Sequence, residues 1–526
     1  MAGDMNGGGT SNSSGKTAYY NESKSMDFSI KAQEEPISSN LNENLSKLKQ
    51  IFCFPINIDF SVREIYIKAL KRKGVLLFLQ GVTDIHSLEK HIITPLMREV
   101  ITEPTGEDII SSLTSRVLTG KGVRRLNNYK AIVQEIINGN TALFIQGVDT
   151  AIILSTVGYE HRAIEKPVAE NALKGPKEGF VESEQTNRSL IRKYLRNEKL
   201  VTESIEIGVK SSSKVFMMYI ADVANEDLIK NVKKRLQEIE AEQVETASIL
   251  EQYIEDRPYS LVPTVLTTER PDRVASFLSE GHVTLILDGS PAALIVPITF
   301  WSLFHNPEDV YQRWAYGNFM RIIRLICCFI ALLTPGLYIA VTSFHVDMIP
   351  TDLVLAIASS RERLPFPAFI EVILMEIAFE ILREAGIRIP TPIGPTIGIV
   401  GALILGQAAV EANVVSPILV IIVAVTGLAS FAIPEISLSF LIRISKFMFL
   451  IAGTLIGFFG IAALFTICIA YLSNVQSFGV YFMSPFTPNY KSSKDFVIRP
   501  PIWKQWIRPM NLNPKREVRR KRPKRS

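Results

Sequence analysis

The chain has 526 residues, 47% of them hydrophobic and 21% charged, with a formal net charge of +5. These averages hide two unlike halves: the chain is charged and mixed up to about residue 280, and mostly apolar from 325 to 472. A purely soluble protein is thereby excluded, and the pattern is that of a membrane protein with a large soluble domain.

Residues 1–46 are rich in Gly, Ser and Asn, lack the apolar core of a signal peptide, and are expected to be disordered. The soluble domain is then expected to stay on the side where it is made. A first α/β subdomain is expected over 47–174. Within it 77–84 (LFLQGVTD) and 143–150 (LFIQGVDT) resemble each other, each a strand run ending in a glycine turn. Residues 151–155 read as a returning strand, and 87–100 and 129–137 as helices. Residues 175–190, polar and turn-rich, read as a linker.

A second α/β subdomain is expected over 191–300. Residues 202–208 and 213–220 read as strands, and 226–240 has helical spacing at Leu228, Val232 and Leu236. Residues 269–281 read as a helix with Pro271 in the first turn and Gly281 just past the end. The segment 282–296 (HVTLILDGSPAALIV) admits a strand–turn–strand or the start of a spanning helix. Its Asp-Gly-Ser-Pro turn favours the hairpin, because Asp288 at a helix centre would cost roughly 2.5–3.5 kcal/mol.

A helical membrane domain is expected over 301–490, with four uncharged runs of spanning length at 325–344, 389–410, 414–434 and 447–472. Arg443 and Lys446 then fall in a loop after the third run. Between the first two runs, 366–382 (FPAFIEVILMEIAFEIL) carries Glu371, Glu376 and Glu380. At about 100° per residue, Glu376, Glu380, Arg383 and Glu384 share a face and Glu371 points elsewhere. This helix reads as interfacial, re-entrant or pore-facing, and Glu376 and Glu380 are the candidate ion-pathway residues. Gly394 and Gly398 form a GxxxG followed by Gly401 and Gly406, a small-residue face suited to close helix contact between copies or within one chain.

The tail, 491–526, holds thirteen Lys or Arg against two acids, a net of +11, which leaves −6 for the remainder. Basic residues just after an apolar run read as a cytoplasmic anchor on anionic lipid rather than as a nucleic-acid surface. With the soluble domain and the tail on one side, the number of spans is even. Cys53, Cys327, Cys328 and Cys468 offer neither a disulfide framework nor a CxxC metal pattern. No Walker A, GxGxxG, GxSxG or HExxH motif occurs. No catalytic residue, metal site or cofactor is expected, and an enzyme is a poor reading.

Three long stretches then carry a family likeness. They are GPKEGFVESEQTNRSLIRKYL from Gly175, ERPDRVASFLSEGHVTLILDGSPAALIVP from Glu269, and LPFPAFIEVILMEIAFEILREAGIRIPTPIGPTIGIVGALILGQAAV from Leu364. In this order they resemble the A-subunit family of bacterial spore germinant receptors, over about residues 50–490. The resemblance implies a cytoplasmic-side domain of two α/β subdomains and a multi-span domain in the spore inner membrane. It implies a transporter-like B subunit, which binds the nutrient, and a lipoprotein C subunit as partners. It also implies a homo-oligomer of A subunits acting as a nutrient-gated channel for monovalent cations. A secondary transporter binding substrate itself, or a non-conducting scaffold, are the other readings.

Overall fold

Strand-forming residues broken by turn glycines build two sheets in the first half of the chain. The computed structural model describes residues 35–99, 113, 122–159, 170, 174–210, 212–388, 406–490, 492 and 495–519. The first sheet comprises β1 (Phe60–Ile67), β2 (Arg72–Leu79), β3 (Arg124–Leu126), β4 (Thr141–Ile145) and β5 (Ala151–Leu154), in the order β1-β2-β4-β5-β3. The second comprises β6 (Leu200–Ile207), β7 (Ser213–Ile220), β8 (Leu266–Thr268), β9 (Val283–Leu287) and β10 (Ala293–Val296), in the order β6-β7-β9-β10-β8. Every pairing is antiparallel, so both α/β subdomains are helices layered on antiparallel sheets. The inner hairpins β4–β5 and β9–β10 are buried at every residue, which is why they read as continuous apolar runs without alternation.

The sheets are copies of one plan. β3, the helix Tyr129–Ile137, β4 and β5 recur 142 residues later as β8, the helix Pro271–Glu280, β9 and β10. The turn glycines recur with them: Gly139 and Gly147 have φ of 95° and 78°, Gly281 and Gly289 of 107° and 85°. A side chain at Gly139 would also collide with the Val82 carbonyl. Segment 282–296 is therefore a hairpin, not a spanning helix.

Part of the expected linker is ordered and helical. Ser183 caps the helix Glu184–Tyr194, its Oγ accepting from Thr186 N, and this helix buries Arg188 and Arg192 between the sheets.

The membrane half departs from four simple spans. Among the described residues two helices are long and apolar enough to cross a membrane, Trp314–Phe344 and Ile436–Ile456. Only 28% of each one's apolar window is buried inside the chain, too little for core helices of a soluble fold. Pro417–Phe431, inside the third expected run, is 15 residues long. Most of the second expected run, 389–405, lies outside the described residues. The expected run 447–472 is corrected: it is the end of Ile436–Ile456 and most of Phe458–Asn474, broken at Gly457 with φ 63° and ψ −138°. Arg443 and Lys446, expected in a loop, lie inside Ile436–Ile456.

That helix crosses Trp314–Phe344 at two glycines. A Cβ on Gly336 would sit 2.7 Å from Phe449 O, and one on Gly453 would sit 2.6 Å from Gly336 O. Beyond the last apolar helix the chain returns to the second subdomain. The short hairpin Gln476–Ser477 and Val480–Tyr481 inserts Phe478 and Phe482 into its cores. The described part of the basic tail docks on the same subdomain, through Lys515 to Glu226, Arg516 to Asp222 and Arg519 to Glu280.

Candidate functional site

Among the described residues buried charge is concentrated in three layers, two of them where one part of the molecule meets the next. The first joins the subdomains. Asp59, at the start of β1, is fully buried and accepts from Arg188, from Arg192 Nε at 2.7 Å and from Thr202 Oγ1 at 2.7 Å. Burial alone would raise its carboxyl pKa, but Arg192 and Arg188 outweigh that and hold it below the usual carboxylate range. The two arginines lie one turn apart because they stand four residues apart on this helix, whose start the Ser183 cap fixes.

The second layer joins the soluble half to the apolar helices. Arg273, on Pro271–Glu280, donates to Glu435 at 3.0 Å, to Glu170 at 3.1 Å and to the Ser302 carbonyl at 3.3 Å. Glu435 stands at the N-cap of Ile436–Ile456, where a carboxylate also meets the positive end of the helix dipole. Close by, Asp309 accepts from Arg321 Nε at 2.9 Å and from Arg324 at 2.9 and 2.6 Å. Burial would raise its pKa; Arg324 and Arg321 hold it low. A cavity of about 340 Å³ opens here, lined in part by Arg273, His282, His305 and Arg321. His282 Nδ1 meets the Pro297 carbonyl and His305 Nε2 the Phe496 carbonyl, each at 2.7 Å. Burial lowers both imidazole pKa values to about 4, with Arg321 adding to the effect at His305. Both rings are therefore neutral at neutral pH.

The third layer lies within the helical bundle. The carboxylate helix, Ala368–Arg388, turns Leu374, Ile377 and Ile381 outward, at 43%, 47% and 63% exposure, while Glu376 is 1% exposed. Acids inside and apolar residues outside are the reverse of a helix lying in headgroups, so its acids are not solvated there. Lys446 Nζ lies 2.5 Å from Glu376 Oε2 and 3.0 Å from Glu380 Oε1. Arg443 donates to Glu380 through Nε at 3.0 Å and again through Nη2. Arg383 Nη2 donates to Ser430 Oγ at 2.5 Å, its guanidinium set over the Phe431 ring. Glu371 faces elsewhere, accepting from Ser416 N at 3.3 Å with Arg361 at 3.7 Å. Among the described residues Glu376 Oε1 has no hydrogen-bond partner.

The structure thus brings Glu376 and Glu380 together and adds two partners that the sequence reading placed in a loop. Of the candidate glycines, Gly394, Gly398 and Gly401 lie outside the described residues. Gly406 faces the same chain, where a Cβ would sit 3.2 Å from Val420 Cγ1. Gly336 and Gly453, the close crossing, were not singled out, although Gly453 opens a GxxxG that ends at Gly457. Asp59 had no local signal; its partner Arg188 is 129 residues away. Among the described residues no group of three or more His, Cys, Asp or Glu could hold a metal ion.

A duplicated soluble domain, coupled by buried ion pairs to an apolar helical bundle, defines a class of membrane-associated proteins with a large N-terminal domain. Residues 46–511 match the family described as Bacillus/Clostridium GerA spore germination protein, and the chain belongs to it. The chain is similar to "Spore germination protein KA" of Bacillus subtilis (strain 168), with 38% identity over 485 residues, 92% of this chain and 88% of that one. It is also similar to "Spore germination protein GerLA" of Bacillus cereus, with 36% identity over 466 residues, 88% of this chain and 94% of that one. The crystal structure of the N-terminal domain of the A subunit of the Bacillus megaterium spore germinant receptor GerK3 aligns with 51% of this chain and 98% of its own, at TM-score 0.39 and 25% identity.

Proposed function

We propose that this chain is the A subunit of a nutrient germinant receptor in the spore inner membrane, and that copies of it line a gated path for monovalent cations. Its partners are a transporter-like B subunit and a lipoprotein C subunit. Family membership supports the receptor role. The observation that carries the ion path is a pair of inward carboxylates in an apolar bundle, one with an oxygen left unmatched. At rest Lys446 and Arg443 occupy these carboxylates, and opening exchanges them for passing cations.

Lys515, Arg516 and Arg519 lie against the second subdomain, which supports an even number of crossings with the soluble domain and the tail on the cytoplasmic, spore-core side. Residues 520–526, five of them basic, are the part of the tail assigned to anionic lipid. Gly394, Gly398 and Gly401 are assigned to helix contacts between copies.

The test is potassium efflux from spores, with conductance after reconstitution. Glu376→Gln with Glu380→Gln is expected to slow efflux by roughly an order of magnitude at unchanged protein level. Because that variant leaves Lys446 unpaired, Glu376→Gln with Lys446→Met removes both charges of one pair and is expected to slow efflux as well. Normal efflux and normal cation selectivity in the second variant would move the path away from this helix. Absence of any conductance in the reconstituted receptor would favour the transporter or scaffold readings.

A further inference from the structure

Arg499 is buried at 3% exposure, yet among the described residues its Nε and Nη1 have no hydrogen-bond partner and no carboxylate forms an ion pair with it. Its backbone is fixed firmly. Its N–H donates to Asn318 Oδ1 at 2.7 Å, and its carbonyl accepts from Trp314 Nε1 at 2.6 Å and from Asn318 Nδ2 at 3.2 Å. The backbone at Arg499 is therefore held against the first turns of the helix Trp314–Phe344, just before the apolar run.

The acids of this region are already committed. Asp309 is shared by Arg321 and Arg324, and Asp495 is taken by Arg321. Three guanidinium groups face two carboxylates, which leaves one positive charge unmatched. A buried cation without a partner is strongly unfavourable, so an anion is the missing component. The surroundings say which kind. Trp314, Tyr316 and Phe319 on the helix, and Ile498, Ile502 and Trp503 around Arg499, are all exposed. Exposed Trp and Tyr at the start of an apolar helix mark the headgroup level of a bilayer, and a guanidinium matches the planar, two-oxygen face of a phosphate.

We propose that Arg499 is a binding site for the phosphate of an anionic phospholipid headgroup. The site is distinct from the exposed basic tail, because its cation is buried, unpaired and anchored to the first apolar helix. It also stands apart from the proposed ion path, so it holds whether or not the bundle conducts.

The test uses the full chain in detergent with three probes: phosphatidylglycerol, phosphatidylcholine and millimolar inorganic phosphate. Native mass spectrometry counts lipid retained after delipidation, and thermal melting reads stabilisation. Phosphatidylglycerol is expected to be retained and to raise the melting temperature, phosphatidylcholine much less, and inorganic phosphate not at all. Arg499→Gln should weaken phosphatidylglycerol retention about tenfold, whereas Arg516→Gln, in the docked tail, should leave it unchanged. Without lipid, Arg499→Gln should melt no lower than wild type, since it removes an unmatched charge. Equal retention in wild type and Arg499→Gln would overturn the site, and a shift reproduced by inorganic phosphate would overturn the lipid. If Arg499→Gln fails to accumulate, wild-type chain that keeps no phosphatidylglycerol in preference to phosphatidylcholine overturns the proposal unaided.

Discussion

Ala131 and Arg273 occupy equivalent places, 142 residues apart, on the helices that precede the two buried hairpins. Ala131 is half-buried within its own subdomain, whereas Arg273 reaches out of its subdomain to Glu435 at the start of an apolar helix. Asn140 and His282 are likewise equivalent. Asn140 bonds Glu135 on the adjacent helix at 2.6 Å; His282 is neutral and closes on Pro297 beside the joint. The backbone plan is the same, and a few changed side chains on one face tie the second subdomain, and not the first, to the apolar bundle. Duplication supplied the scaffold; buried charge distinguishes the copies.

The comparison breaks most visibly at Arg273. Arg273→Ala gives the second copy the residue of the first and leaves Glu435 and Glu170 without their cation. A loss of about 3–5 kcal/mol is expected, read as a lower melting temperature and less full-length protein by immunoblot. Ala131→Ser at the equivalent place should cost under ~0.5 kcal/mol. Equal responses would erase the distinction.

Asp59→Asn tests the contact between the copies rather than within one. It leaves Arg188 and Arg192 buried with weaker acceptors, and about 2–3 kcal/mol is expected. Hydrogen exchange should speed in Glu184–Tyr194 while the bundle helices keep their protection. Because Asp59 titrates lower in the folded chain than unfolded, its stabilisation is present above the unfolded carboxylate range and is lost as pH falls through the folded value. The variant should therefore show a shallower loss of stability in acid.

His282 sharpens the comparison more gently. Its pKa is about 4 folded against roughly 6.5 unfolded, so between those values the unfolded chain binds more protons. Stability should fall as pH drops from about 6.5 towards 4, by on the order of 1.4 kcal/mol per pH unit for each such histidine. His282→Asn, which copies Asn140, should remove one histidine's share of that slope in melting curves across the range. The smallest effect is expected at Lys515, whose pair with Glu226 is solvent-exposed. Lys515→Gln should leave the melting temperature unchanged, and a clear drop would mean that single surface pairs hold the tail in place.

Much of the soluble half was legible in the sequence because its signals are local. Pro271 and Gly281 bracket a helix that spans Pro271–Glu280, and the Asp288-Gly289 turn marks a hairpin. The shared face of Glu376 and Glu380 was legible for the same reason: one helical turn separates them. What they face was not. Lys446 is 70 residues from Glu376, and a charge in an apolar stretch reads as a loop unless its partner is known. The break at Gly457 was hidden because apolar residues flank it on both sides, so composition runs on where the helix stops. Asp59 is an ordinary acid in sequence and becomes informative only when Arg188 and Arg192 arrive from far along the chain.

The short hairpin after the last apolar helix sets an order of events during synthesis. The buried cores of the first subdomain draw on residues no later than 159, so it can close before any apolar helix is made. The second cannot. Val475, Phe478 and Phe482 complete its cores, and Ser477 bridges Ile298 N and the Thr264 carbonyl across 179 and 213 residues. At roughly 5–20 residues per second, that gap is on the order of 10–40 s of translation. During this time the apolar helices are made while the second subdomain waits with open cores. A ribosome that stops within the bundle therefore releases one finished subdomain and one that cannot finish.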